Sequence, residues 1–377
     1  MNIFPSAKPG SNAPLVSDDS VRLAPGSEFA FTVKPLPGEG IMEMMTRLSV
    51  ALKESETTPA NLIVFGSVRA CPAAEEAMRR IFGRIDWPVT WVEGTASNGH
   101  PIAGMQALAF SAGRVTPITL DGRVVGSVFE EGAIRHCLLG GLGPDARSAS
   151  RPDQFRQTLA NLESALHQAG FSLDDIVRTW YYLDELLSWY GEFNEARTQE
   201  YKRIKFRTGS LPASTGISGP NPAGTALVMG AWALKPLHSC VRAAEVASPL
   251  QCPAPAYGSS FSRAMEISCL RGRHLLVSGT ASIAPGGQTM WPEDVRQQIV
   301  LTMEVVEAIL ESRGFGFSDI TRATAYFKHR ADIPAFADWC AGRELRSLPF
   351  VAAQCGICRD DLLFELEADA WNSRPAV

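Results

Sequence analysis

The feature that most limits how this chain can fold is that it repeats itself. Leu173-Asp-Asp-Ile176-Val-Arg-Thr-Trp-Tyr-Tyr is echoed by Phe317-Ser-Asp-Ile320-Thr-Arg-Ala-Thr-Ala-Tyr. Leu211-Pro212 is echoed by Leu348-Pro349, with Trp87-Pro88 a fainter third copy. Around these echoes the apolar spacing runs through one order three times. In the first pass, 29–33 and 61–68 read as strands and 87–93 and 105–110 as closing strands. Ile41, Met44, Met45, Leu48 and Leu52 make 41–53 a helix, and Pro72 opens another over 73–82. In the second pass, strands at 124–129 and 134–139 precede a turn at Gly140-Gly141-Leu-Gly143-Pro144. A helix over 153–170, capped by Gly170, a strand at 176–183, a helix at 189–201 and strands at 213–218 and 226–233 follow. A Pro-rich linker at 249–255 leads into the third pass. It predicts strands at 261–268, 274–278 and 320–328, helices at 294–312 and 334–345, and closing strands at 350–357 and 362–370.

Self-similarity at this scale means duplicated domains rather than a solenoid. The fold class is α+β, a tandem of β-α-β-α-β-β units. The expected division is 27–120 (a degenerate unit), 121–245 and 246–377, after a flexible Pro-, Ser-, Gly- and Asp-rich arm over 1–26.

Composition narrows the function classes. With 377 residues, 45% hydrophobic and 20% charged, the chain has the content of a globular protein with a sizeable core. A net charge of −5 argues against general affinity for nucleic acid. No apolar run of membrane length and no signal peptide is visible. The eight cysteines are scattered; unpaired thiols suit a reducing, cytoplasmic setting. Cys355 and Cys358 form one C-x-x-C, without a second pair or a nearby histidine, and His136, His274 and His329 are isolated, so neither a metal nor another cofactor is expected.

The chemistry concentrates near the C-terminal end, in Cys355-Gly-Ile-Cys358-Arg359-Asp360-Asp361-Leu-Leu-Phe-Glu365-Leu-Glu367-Ala. On a strand, Glu365 and Glu367 share a face. A hairpin at Asp360-Asp361 would bring Cys358 and Arg359 back beside Glu365, so that an acid, a thiol and a fixed cation line one pocket. On the other reading this is an amphipathic edge strand with solvated acids, and Cys358 is a small buried hydrophobe. Arg156, Arg178, Arg296 and Arg322 read as solvated surface cations, and Trp189 and Tyr190 as core. Gly140 to Gly143 does not open a helix after a strand, so it is no nucleotide-binding loop.

The second and third passes resemble the RidA/YjgF family. Phe261-Ser-Arg263-Ala264 stands for its entry strand, Val277-Ser278-Gly279-Thr280 for its Ser-Gly turn, and Glu365-Leu-Glu367-Ala for its Glu-Ile-Glu-Ala strand. The family's carboxylate-binding arginine would fall at Val351, Ser214 and Thr90, so its enamine deamination is not implied. Met229 and Gln106 stand where the strand glutamate would be in the other two units. RidA proteins are trimers with sites between subunits; the resemblance therefore implies a pseudo-trimer within one chain that keeps one such site.

A long, degenerate chain of this kind is similar to the chorismatases, on Tyr257-Gly258-Ser-Ser-Phe261-Ser-Arg263-Ala264, the turn Gly279-Thr-Ala281-Ser282, Ser214-Thr215-Gly216-Ile217, and Cys358-Arg359 with Glu365. That resemblance implies conversion of chorismate to pyruvate and 3-hydroxybenzoate, with 4-hydroxybenzoate a further product, and no cofactor. It makes Glu365 the acid and Cys358 the mark of the 3-hydroxybenzoate-forming type. A substrate with two carboxylates calls for planar cations. Arg359, Arg263 and Arg207 are the candidates, with Arg197 and Tyr201 from the preceding helix and Ser214, Thr215 and Ala281 beside them. Arg207 reads equally as a loop cap. The alternatives are a RidA-type enamine/imine deaminase and a non-catalytic small-ligand-binding protein. The expected partner is the small molecule alone, not nucleic acid or membrane, with the chain a monomer or a weak homo-oligomer.

Overall fold

Most strands of this chain are covered on both faces, and that decides the architecture. In the computed structural model, which describes residues 20–22, 28–111, 113–147, 149–269 and 271–373, every residue of Ile176–Leu183 is buried. Such strands read as near-continuous apolar runs rather than clean alternations. The arm expected over 1–26 lies outside the described residues, except that 20–22 form a strand.

The first sheet contains β1 (Ser20–Arg22), β2 (Glu28–Val33), β3 (Thr58–Gly66), β4 (Val89–Val92) and β5 (Ile102–Phe110), with helices α1 (Ile41–Glu54) and α2 (Cys71–Phe82) between its strands. The second contains β6 (Thr116–Leu120), β7 (Arg123–Glu131), β8 (Ile134–Leu142), β9 (Ile176–Leu183), β10 (Ala213–Ser218) and β11 (Leu227–Pro236). Its helices are α3 (Arg151–Gln168), capped by Ser150, and α4 (Tyr190–Tyr201). The third contains β12 (Arg242–Val246), β13 (Ala264–Cys269), β14 (Gly272–Ala281), β15 (Ile320–Phe327), β16 (Phe350–Gln354) and β17 (Phe364–Asn372), with α5 (Val295–Glu311) and α6 (Ile333–Gly342).

The strand orders are β1-β2-β5-β3-β4, β10-β9-β11-β8-β7-β6 and β12-β13-β14-β17-β15-β16. Each sheet therefore carries the same inner order, with one parallel pair at β3–β4, β9–β10 and β15–β16. The expected hairpin between the last two strands is not formed: β16 runs parallel to β15, and β17 lies on the other side of β15. Nor is β17 an edge strand; it is paired on both sides, and Glu365 and Glu367 are buried.

Helices cover one face of each sheet and give each its own core, built on residues such as Met45 and Trp91, Phe155 and Leu162, and Met303 and Phe336. The other faces meet in a shared core that joins Phe65 and Phe110 to Leu138 and Trp180 and to Leu276 and Tyr326. Three sheets around one centre is a trimer written in a single chain.

Bulges fix the equivalences. One residue is skipped at the same place in each sheet: Ala60 in β3, Val177 in β9 and Thr321 in β15. That makes Asn61, Arg178 and Arg322 equivalent. Across the ladder it aligns Gln106 with Gly230 and Glu367, and Gly104 with Val228 and Glu365. The expectation that Met229 and Gln106 replace the strand glutamate is thus corrected: Met229 matches Leu366, and Gln106 matches Glu367. The expected turn at Gly140-Gly141 is an irregularity inside β8, with Gly141 at φ +64°.

Arg178 and Arg322 are not solvated surface cations. Arg178 and Glu367 are both fully buried and 2.6 Å apart. One Glu367 oxygen accepts from Arg178 Nη2 (2.6 Å), Thr215 Oγ1 (2.6 Å) and Trp180 Nε1 (2.9 Å). The other accepts from Tyr326 OH (3.2 Å), Arg322 Nη1 (3.3 Å) and Thr324 Oγ1 (3.3 Å). Burial alone would raise this carboxyl's pKa; Arg322, Arg178 and the donated bonds hold it below its ordinary value. Arg156 and Arg296 do lie at the surface. Removing one partner from a buried ion pair strands the other charge. Arg178→Met should therefore destabilise the protein by about 3–5 kcal/mol, read from denaturant unfolding; a change below about 1 kcal/mol would show that Arg322 and the hydroxyl donors suffice.

Candidate functional site

The candidate site is a cavity of about 250 Å³ where the second and third sheets meet, just below the usual range for ligand pockets. The third sheet supplies Glu365 from β17, flanked across the ladder by Tyr326 and by Ala281. Cys358 and Arg359 reach the same cavity from the loop before β17. That loop is held by a buried glutamine of α5: Gln298 Nε2 donates to Asp361 O (2.9 Å), and its oxygen accepts from Leu363 N (2.8 Å). So the acid, the thiol and the cation do line one pocket, although no hairpin ladder brings them there.

Glu365 is buried, and burial, reinforced by the Glu367 charge, pushes its carboxyl up to about 8, against the pull of Arg178 and Arg263. It carries its proton at neutrality. Glu367 does not face this cavity; it turns into the centre of the molecule. Gly279 makes room for Glu365, because a Cβ there would lie 2.1 Å from Glu365 Oε1. The Gly279 amide donates to Thr215 Oγ1 (3.0 Å), which in turn donates to Glu367, so the seat of the acid is tied to the central ion cluster.

Three arginines stand around the cavity. Arg263 is buried and donates twice to Cys252 O (3.0 and 2.9 Å), with Tyr257 and Phe261 rings beside it. Arg359 donates to Gly287 O (2.7 Å) and lies over the Tyr257 ring. Arg197, buried on α4, donates to Asn194 Oδ1 (2.7 Å) and leaves its Nε without a partner. Each keeps guanidinium hydrogens for a ligand. Burial and the Glu365 charge push the Cys358 thiol up to about 12, and Tyr190 hydrogen-bonds to it, so it stays a neutral thiol.

Ser214 and Ala281 line the cavity. The Ser214 hydroxyl accepts from Thr179 and its amide donates to Ser278. The ladders put Thr215, not Ser214, level with Val351 and Thr90, and Thr215 sits one layer behind Gly279. Arg207 is outside: it is largely exposed and pairs with Asp175. Tyr201 is also outside, with its hydroxyl 2.6 Å from that of Tyr181 behind α4. Tyr190, read as core, lines the cavity, as do Phe193, Asn194 and Tyr257. An aromatic at helical spacing carries no signal for this; only the position of α4 against the third sheet does.

The two cysteines of the C-x-x-C part company: Cys355 points to Glu93 O (3.1 Å), away from Cys358. Among the described residues no group of three or more His, Cys, Asp or Glu is placed to hold a metal ion, and no helix is long and apolar enough to cross a membrane.

The fold and this inter-sheet site define a tandem RidA-like α+β protein. A family model described as Endoribonuclease L-PSP matches residues 253–371. A crystal structure of a chorismatase superposes with a TM-score of 0.63 over 93% of this chain and 99% of that one, at 17% identity. A 3-hydroxybenzoate synthase of Streptomyces hygroscopicus is 24% identical over 241 residues, 56% of this chain and 67% of its own length. A chorismatase of Streptomyces rapamycinicus is 27% identical over 214 residues, 51% of this chain and 63% of its own. The chain thus spans about two thirds of the length of these relatives. It has the fold of a chorismatase and is similar in sequence to a 3-hydroxybenzoate synthase and a chorismatase over about half of its length.

Gly279→Ala tests the seat of the acid. The added methyl should displace the Glu365 carboxyl in a crystal structure and cost about 1–3 kcal/mol of stability, the usual scale of overpacking. A carboxyl that stays in place would show that Gly279 does not determine it.

Proposed function

We propose that this protein cleaves chorismate, giving pyruvate and 3-hydroxybenzoate, with 4-hydroxybenzoate or the dihydroxy acid as a minor product. The observation that carries this reading is a buried carboxyl, Glu365, inside a cavity lined by three arginines. Chorismate has two carboxylates and an enol ether, and its cleavage begins with a proton delivered to the enolpyruvyl methylene carbon. Glu365 is the group that holds such a proton. General acids work best with a pKa near the working pH. Arg197, Arg263 and Arg359 line the cavity and in this reading take the two carboxylates, while the rings of Tyr190, Phe193 and Tyr257 pack on the cyclohexadiene. Proton transfer leaves positive charge on the ether carbon, which the Glu365 carboxylate, now ionised, faces. Loss of the pyruvyl group with aromatisation takes up no water overall, because the two products together carry the atoms of the substrate; formation of the dihydroxy acid takes up one.

A RidA-type enamine deaminase would need a carboxylate-binding arginine in the place of Thr215; the arginine that touches Thr215, Arg178, is already paired with Glu367. The test of the main reading is incubation with chorismate and chromatography for pyruvate and hydroxybenzoates; no consumption by folded protein would overturn it.

The acid has its own signature. Glu365→Gln should lower kcat by about two to four powers of ten, the scale of general acid catalysis. In the unaltered protein kcat/KM should fall as pH rises through about 8, where Glu365 gives up its proton. A flat profile across that range, or near-normal turnover by the variant, would remove Glu365 from the chemistry.

Cys358 bears on product choice. As a neutral thiol it acts through bulk and as a weak donor rather than as a nucleophile. It fills space where alanine would admit water. Cys358→Ala should keep chorismate consumption and shift the product from 3-hydroxybenzoate toward the dihydroxy acid, read as a product ratio at matched conversion. An unchanged ratio would show that other residues set the outcome.

A further inference from the structure

The symmetry of the three sheets gives the Glu365 cavity a counterpart. Where α2 and β4 of the first sheet meet β8 and β11 of the second lies a cavity of about 300 Å³. Part of its lining matches the Glu365 cavity: Val89, Trp91, Gly141 and Val228 stand where Ser214, Gly216, Gly279 and Glu365 stand. Helix α2 stands where α4 stands, contributing Glu75, Met78 and Arg79 in place of Phe193, Asn194 and Arg197. The ladder puts Leu142 opposite Met229 as it puts Thr280 opposite Leu366, so Gly141 stands where Gly279 stands. The same hydrogen bond recurs: Gly141 N donates to Thr90 Oγ1 at 3.0 Å, as Gly279 N does to Thr215 Oγ1 at 3.0 Å. The residue in the place of Glu365 is Val228. At the remaining interface the space is filled, since Gly104 faces Val351 so closely that an added Cβ would lie 2.6 Å from a Val351 methyl.

The counterpart has kept its room and changed its lining. Its walls are apolar, with Met78, Ile85, Val89, Trp91 and Val228. Its charged residues are Glu75, Arg79 and Arg123. Arg79 is paired with Glu76, whereas Arg123, exposed at the start of β7, has no ion-pair partner among the described residues. Cys71 is pushed up to about 12 by burial and by Glu75, so it adds no charge at neutrality. The carboxyl that would protonate a ligand is gone, while an apolar chamber with a free cation at its side remains.

We propose that this cavity is a second, non-catalytic binding site for a small aromatic or alicyclic carboxylate. The ring packs against Trp91, Met78 and Val228, and the carboxylate meets Arg123. The ligand class is read from this cavity's own lining, so the inference stands or falls apart from chorismate turnover at Glu365.

Methionine methyl NMR on the full chain, titrated with benzoate, tests it. Met78 lines this cavity and no methionine among the described residues lines the Glu365 cavity, so its methyl signal, assigned through Met78→Leu, reports on this site. The signal should shift saturably with millimolar benzoate and much less with benzyl alcohol. Arg123→Ala, an exposed change, should raise the apparent Kd about three- to tenfold. Ala223→Trp, which blocks the cavity from the loop before β11, should abolish the shift, and Glu365→Gln should leave the titration unaltered. A Met78 signal that does not move would overturn the proposal. So would equal response to benzyl alcohol, equal affinity in Arg123→Ala, or a titration that weakens in Glu365→Gln.

Discussion

One buried carboxylate organises this molecule. An unpaired Glu367 in the interior would be untenable, since an isolated charge there costs many times the net stability of a protein. It persists because donors from the second and third sheets converge on it, and because Gln106 of the first sheet shares Arg322 and Thr324 with it. Apolar contact between sheets tolerates sliding; this arrangement does not. The relative placement of the three sheets becomes a condition on hydrogen-bond geometry. From there the constraint passes outward: Glu367 holds Thr215, Thr215 receives the Gly279 amide, and Gly279 leaves the gap in which the Glu365 carboxyl rests.

The same charge explains how two glutamates on one strand come to opposite protonation states. Glu367 meets two arginines and four neutral donors and is ionised. Glu365, two residues earlier, is buried with far less compensation and feels the negative charge of its neighbour, so it keeps its proton. Pairs of titratable groups driven apart by their surroundings are how a protein obtains an acid and a fixed anion from one residue type.

What could be read from the sequence follows the range of the interactions involved. The repeats were legible because they are periodic, and β9 and β10 fall on the residues that apolar runs suggested. Strands β6 and β12 were missed: they are outermost strands with several exposed positions and little pattern. Cys358, Arg359 and Glu365 could be grouped because they are neighbours in sequence. Arg178 could not be placed, since its burial depends on a carboxylate 189 residues away. Arg207 and Tyr201 lie outside the cavity, and Tyr190 inside it, because the packing of α4 decides which side of that helix meets the third sheet. Local pattern says nothing of that packing.

The described residues that line the Glu365 cavity come from one polypeptide, although they stand on two sheets that behave toward each other like separate subunits. A pocket assembled between independent subunits exists only while they stay associated, so it dissolves on dilution. Here the two halves are tethered, and each sees the other at an effective concentration set by the connecting chain rather than by the solution. The pocket is therefore as intact in a single molecule as in a concentrated sample, and each of its two walls can change sequence without altering a symmetry-related copy of itself.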